Sequence, residues 1–214
     1  MASQLLPGVP ATALSYLALG DSYTIGEGVA DEGRWPHQLA RALREEGIAL
    51  ADPRIIATTG WTTDELTWGI DGAEPLGEWD FVSLLIGVNN QYRGRSAVEY
   101  RSEFEALLKR AIAFARGRAD RVLVLSIPDW GATPFVKTTP ATPPTISAEL
   151  DAYNAAAQVV CEAHGVTFVD ITPVSRERGG DVEMLADDGL HPSAAMYSQW
   201  TTLALPAARG LLSR

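Results

Sequence analysis

Tyr16-Leu17-Ala18-Leu19-Gly20-Asp21-Ser22-Tyr23-Thr24-Ile25-Gly26-Glu27-Gly28 is the stretch whose reading decides the fold. Residues 16–19 form an apolar run long enough for a buried strand and too short for a buried helix. The run stops at Gly20, and Asp21-Ser22 follows, with more glycine at Gly26 and Gly28. In open α/β sheets ligands bind outside the carboxyl ends of the strands. A serine at that point, beside a glycine that admits another backbone or a substrate, is a candidate nucleophile. Asp and Ser are equally favoured helix caps, so Ser22 can also serve only the helix that follows. The residues of this stretch leave both readings open.

Working outward, strands alternate with helices. Trp35-Pro36 opens a helix with proline in its first turn; Leu39, Ala40 and Leu43 give its apolar face, and Gly47 ends it. Residues 54–57 make a second strand and run into Thr58-Thr59-Gly60-Trp61. Thr62 and Glu65 then have the spacing of a capping box, so Gly60 sits just ahead of a helix N-terminus, where free backbone N–H groups collect. Residues 81–86 form the clearest strand, closed by Gly87-Val88-Asn89-Asn90. Ser96 and Glu99 make another capping box, and Phe104, Leu107, Leu108, Ala111, Ile112 and Ala115 recur at helical spacing up to Gly117. Residues 121–127 are a further apolar strand. A Pro- and Thr-rich loop over residues 128–145 is longer than most connections. Leu150, Tyr153, Ala157, Val160 and His164 mark a helix, residues 166–170 the last strand, and residues 192–212 a final helix after a polar loop. This alternation predicts a parallel sheet with helices on both faces and one domain over residues 1–214.

Composition narrows the function. The 214 residues are 46% hydrophobic and 21% charged, ordinary for a globular domain. A formal net charge of −10 with no basic run argues against a nucleic-acid partner and against an anionic membrane surface. Cys161 is the one cysteine, so a disulfide framework and a thiolate metal cluster are both excluded. Residues 1–19 carry no basic residue ahead of their apolar part and are interrupted by Pro7 and Pro10, a poor signal peptide. No apolar run approaches the ~18 residues of a membrane span, so no stable membrane insertion is expected, and the chain reads as cytoplasmic.

A serine nucleophile needs a base, an acid to orient that base, and donors for the oxyanion. His37 and His164 lie inside helical patterns. His191 lies in a loop beside Pro192, three residues after Asp188, a spacing that lets the carboxylate reach the imidazole and fix its tautomer. Capping residues around an Asp188-Gly189 turn, with His191 on the surface, are the structural alternative.

Gly20-Asp21-Ser22 followed by Tyr23-Thr24 resembles the first sequence block of the SGNH hydrolases, the GDSL esterase and lipase superfamily. Asp188-x-x-His191 resembles the fifth block, whose spacing selects Asp188 over Asp187. Gly60 matches the glycine of the second block and Asn89 the asparagine of the third, usually Gly-x-Asn-Asp. Here that block reads Gly87-Val88-Asn89-Asn90, with an amide where the acid stands. The Gly-x-Ser-x-Gly elbow of the α/β-hydrolases is absent around Ser22.

The resemblance implies a three-layer α/β/α sandwich of the flavodoxin-like kind with about five parallel strands, and hydrolysis of a small-molecule carboxylic ester. It implies a triad of Ser22, Asp188 and His191, and an oxyanion hole of the Ser22 and Gly60 N–H groups with the Asn89 side chain. No metal or organic cofactor is required. A thioesterase or acyltransferase using the same triad, and a silent binding module on the same fold, are the alternatives. Substrate contacts are expected from Trp130, Phe135 and Val136 on the loop over residues 128–145, with Trp61 facing them. Asp129 either lines the site or holds a turn.

Overall fold

The computed structural model describes residues 13–213, so most of the stretch read as a poor signal peptide lies outside the described residues. Five parallel strands form the sheet: β1 Tyr16–Gly20, β2 Arg54–Ala57, β3 Phe81–Leu85, β4 Val122–Leu125 and β5 Thr167–Val169. Their order is β2-β1-β3-β4-β5, with Leu19 opposite Leu84 and Gly20 opposite Leu85 in the central pair. Every residue of β1, β3 and β4 is buried, the burial on both faces that makes such strands read as continuous apolar runs. The order reverses between β1 and β3. The crevice at their carboxyl ends is therefore the place where this topology gathers ligand-binding groups.

Helices cover both faces. Helix α1 (Ser22–Ile25) is a single turn after β1, and α2 (Trp35–Glu45) packs on α8 (Ala194–Leu212). On the opposite face α3 (Thr63–Ala73) packs on α5 (Ala97–Phe114), and α5 on α6 (Pro143–His164). The Thr62/Glu65 capping box opens α3 as expected, and Ser96 accepts the Glu99 N–H to open α5. His37 lies in α2 and His164 ends α6.

Two short helices are not visible in the periodicity, α4 (Val88–Tyr92) and α7 (Thr172–Arg178). The expected loop over residues 128–145 is shorter and less open than its composition suggests. Pro143 and Pro144 fill the first turn of α6, where the missing N–H costs nothing. The remainder winds into two 3₁₀ turns, Trp130–Ala132 and Pro134–Thr138. Cys161 is buried in the core and burial pushes its thiol up to about 12, as suits a small packing group. Among the described residues, no helix is long and apolar enough to cross a membrane.

Candidate active site

The turn after β1 requires glycine at Gly20. A Cβ there would lie 2.2 Å from Thr24 Oγ1 and 2.5 Å from the Leu85 carbonyl of β3. Asp21 takes the capping role, its Oδ1 accepting the Tyr23 N–H at 3.0 Å. Ser22, the first residue of α1, is left to line a cavity although only 4% of its surface is exposed. Asp21 is fully buried and its Oδ2 has no hydrogen-bond partner. Burial pushes its pKa up to about 7, against the opposing pull of N–H groups from Tyr23 and Gly87.

The loop after β2 turns at Gly60, with φ +87° and the Trp61 N–H returning to the Thr58 carbonyl at 3.2 Å. No atom would crowd a Cβ at Gly60, so backbone conformation alone favours glycine there. Arg93 grips this turn, donating to the Gly60 carbonyl at 2.7 Å and to Glu65 at 3.2 Å. After β3, the Asn89 amide donates to the Trp61 carbonyl at 2.9 Å, which occupies one of its two N–H groups. Asn90, where the resemblance has an acid, is fully buried, and its Oδ1 accepts the Thr63 N–H at 3.1 Å. The loops carrying Gly60 and Asn89 are thus stitched together by three residues of one short segment.

The fourth contribution comes from the loop ahead of α8. Asp188 Oδ1 accepts the backbone N–H groups of Leu190 and His191, both at 2.9 Å, and Oδ2 lies 2.5 Å from His191 Nδ1. Burial works to raise the Asp188 pKa, but the His191 ring and these N–H groups outweigh it and hold the carboxyl below its ordinary value. With Nδ1 engaged, Nε2 remains for chemistry, and the Tyr23 ring packs edge-on to the imidazole at 6.0 Å. Asp187 lines a different surface groove, with Gly28 and Glu32.

Ser22, Gly60, Asn89 and His191 line one cavity of about 210 Å³. Ser22 and His191 share this lining without a hydrogen bond between them. Thr59 completes the polar lining, and the remainder is Tyr23, Val88, Tyr92, Trp130, Phe135 and Leu190. Trp130 is the centre of the aromatic wall, with edge-on neighbours Tyr92 at 5.5 Å and Phe135 at 6.1 Å. Its indole N–H donates to Gln91 at 2.8 Å, which fixes the ring plane.

Trp130 and Phe135 therefore lie where the sequence suggests, and Trp61 does not. The Trp61 ring lies across α3 in the slot left by Gly69, where a Cβ would meet it at 2.1 Å, and only its carbonyl serves the site. Val136 packs against the core, away from the cavity lining. Asp129 takes the structural alternative. Its buried carboxylate accepts from Gly131 N–H at 2.9 Å, Ser147 at 2.6 Å and Arg176 at 2.8 Å, pinning the loop to α6 and α7.

Tyr92 and Leu190 are cavity-lining residues that the sequence reading did not single out. Tyr92 follows Asn89 by three residues, one helical turn, and would have stood on the same face had α4 been recognised. Among the described residues, no group of three or more His, Cys, Asp or Glu side chains is placed to hold a metal ion.

Comparison with known proteins agrees with this fold. No curated protein sequence matches the chain. Solved structures do. A lipase/acylhydrolase from Enterococcus faecalis superposes with a TM-score of 0.70 at 20% identity, covering 93% of this chain and 97% of that one. Axe2, an acetylxylan esterase from Geobacillus stearothermophilus, gives 0.68 at 18% identity, covering 91% and 94%. The psychrotrophic esterase EstA from Pseudoalteromonas sp., in a structure inhibited by monoethylphosphonate, gives 0.63 at 17% identity, covering 93% and 94%. At such identities these likenesses speak for the fold. Residues 18–199, which take in the sheet from Ala18 of β1 onward and every segment that lines the cavity, match the family profile itself, and the chain belongs to the GDSL-like lipase/acylhydrolase family.

Proposed function

We propose that this SGNH-type hydrolase cleaves carboxylic esters through an acyl-enzyme on Ser22. The observation that carries the reading is the cavity shared by Ser22 and His191, with His191 Nδ1 held 2.5 Å from Asp188. His191 Nε2 takes the Ser22 proton as Oγ attacks the ester carbonyl, and Asp188 stabilises the imidazolium that forms. The Gly60 and Ser22 N–H groups and the remaining Asn89 N–H donate to the oxyanion. His191 then gives its proton to the departing alcohol, and water removes the acyl group by the reverse path. The aromatic wall of Tyr92, Trp130 and Phe135 receives the apolar part of the substrate.

A fluorophosphonate probe tests the reading, since it reports an activated serine whatever the natural ester. EstA, inhibited by monoethylphosphonate, supports the choice of phosphorus electrophile. The expected result is one adduct, located at Ser22 by peptide mass spectrometry and lost in His191→Ala. Absence of labelling, or labelling at another residue, would refute it. A panel of p-nitrophenyl esters of increasing chain length, acetylated sugars and lysophospholipids then ranks the substrates.

A further inference from the structure

Asn90 and Glu103 lie outside the cavity lining, yet between them they determine how its two oxyanion loops meet. The Asn90 side chain is fully buried between α4 and the first turn of α3. Its Oδ1 accepts the Thr63 N–H at 3.1 Å, and its Nδ2 donates to Thr63 Oγ1 at 2.6 Å and to Glu103 Oε2 at 3.2 Å. The Thr63 hydroxyl also donates to Glu103 Oε2. A carboxylate only accepts, so the amide nitrogen of Asn90 must face Glu103 and its oxygen must face the N-terminus of α3. The orientation of the amide is thereby determined.

The charges around this pair are already committed. Arg95 Nη1 lies 2.7 Å from Asp64 Oδ1 and 3.6 Å from Glu103 Oε2, so one guanidinium serves two carboxylates. Thr63 begins α3 three residues after Gly60, and Asn90 directly follows Asn89. The Asn90 amide therefore ties the Gly60 turn to Asn89 from beneath, and Glu103 on α5 holds that amide from outside.

We infer that Asn90, locked by Glu103, is a positioning residue that fixes the distance between the Gly60 and Asn89 donors, so that its amide, and not an isosteric acid, is required for catalysis. This rests on the reading that Gly60 and Asn89 hold the oxyanion. An acid at position 90 keeps the acceptor for the Thr63 N–H. It loses the donor to Glu103 and sets a second carboxylate against the first, while the neighbouring Arg95 is already shared between Asp64 and Glu103. The two loops must then separate, and a misplacement of about 1 Å can cost roughly 100-fold in rate.

The experiment compares N90D, N90D/E103Q, E103A and N89A by kcat and KM on one p-nitrophenyl ester, with thermal unfolding of each. N90D should lower kcat by roughly tenfold or more with KM unchanged, since the donors act on charge that develops in the transition state. N90D/E103Q should recover most of it, because the new amide at 103 donates to the new carboxylate at 90; coupled neighbours behave this way in a double-mutant cycle. E103A should lower kcat several-fold at constant KM. A purely structural role would shift the unfolding temperature and leave kcat alone.

N90D as active as the parent, or an N90D loss that E103Q does not repair, would overturn the inference. If N90D does not fold, E103A decides, and an unchanged kcat there overturns it. N89A separates the two levels. A kcat unmoved in N89A removes the oxyanion reading and this inference with it, whereas a loss in N89A with an active N90D removes only the inference.

Discussion

Replacing Asp21 by asparagine should flatten the dependence of stability on pH between about pH 5 and pH 8. The carboxyl is fully buried beside Ser22, one of its oxygens has no partner, and its pKa is raised from 3.8 to about 7. Between those values the folded chain holds a proton that the unfolded chain has released. The unfolded state then binds fewer protons, so stability falls as pH rises, and the fall ends once the folded carboxyl has ionised. Integrated from pH 5 to pH 8, the two pKa values give a loss of about 3 kcal/mol. For a chain of this length that is roughly 5–10 °C in Tm.

Other shifted groups, including His37 and Asp188, are common to both proteins and cancel in the difference. The asparagine amide will leave its own buried N–H groups without a partner, which lowers the whole curve without adding slope. The assay is urea unfolding at pH 5, 6.5 and 8 for the parent and D21N. The stability difference between them should shift by about 3 kcal/mol in favour of D21N across that range. Parallel curves would refute the reasoning, and would mean that Asp21 ionises in the fold as easily as in the unfolded chain.

Three further outcomes are expected. Asp188→Asn should lower kcat severely and Asp187→Asn hardly at all, because only Asp188 bonds the His191 ring; the reverse order in steady-state kinetics would reassign the acid. Asn89→Ala should lower kcat by about 10²–10³ with little change in KM, the usual cost of one oxyanion donor; an effect confined to KM would make it a substrate contact instead. Phe135→Ala and Tyr92→Ala should change the ranking of acyl chain lengths while acetyl ester turnover stays near the parent value. A uniform loss across the series would remove the aromatic wall from the account of specificity.

The sequence discloses what a residue does alone or with near neighbours along the chain. Strands β1, β3 and β4 are legible because burial on both faces leaves them almost wholly apolar, with Ser83 of β3 the exception. The caps at Thr62 and Ser96 are legible because each closes within four residues. Helices α4 and α7 are too short for a 3.6-residue period to emerge. Trp61 misleads for a different reason: beside Gly60 it looks poised over the site, but Gly69, eight residues on, leaves a slot on α3 that takes the indole. Asn90 reads as a weakened match to a family block. Its fit depends on Glu103 and Thr63, and only the packing of α3, α4 and α5 brings those together.

The loop ahead of α8 closes on itself. Asp188 accepts three hydrogen bonds from Leu190 and His191, and an antiparallel bridge joins Leu185 to Pro192 at its base. Asp188 and His191 thus form a self-contained cartridge, aligned with each other by contacts within the loop itself. Ser22, by contrast, is aimed by β1 and its neighbour β3. Two tolerances follow. Lengthening the chain between α7 and Leu185 would leave the Asp188–His191 geometry intact and degrade only the seating of the cartridge over Ser22. A protein engineer transplanting this dyad would need to move eight residues, and would need to worry chiefly about where they are docked.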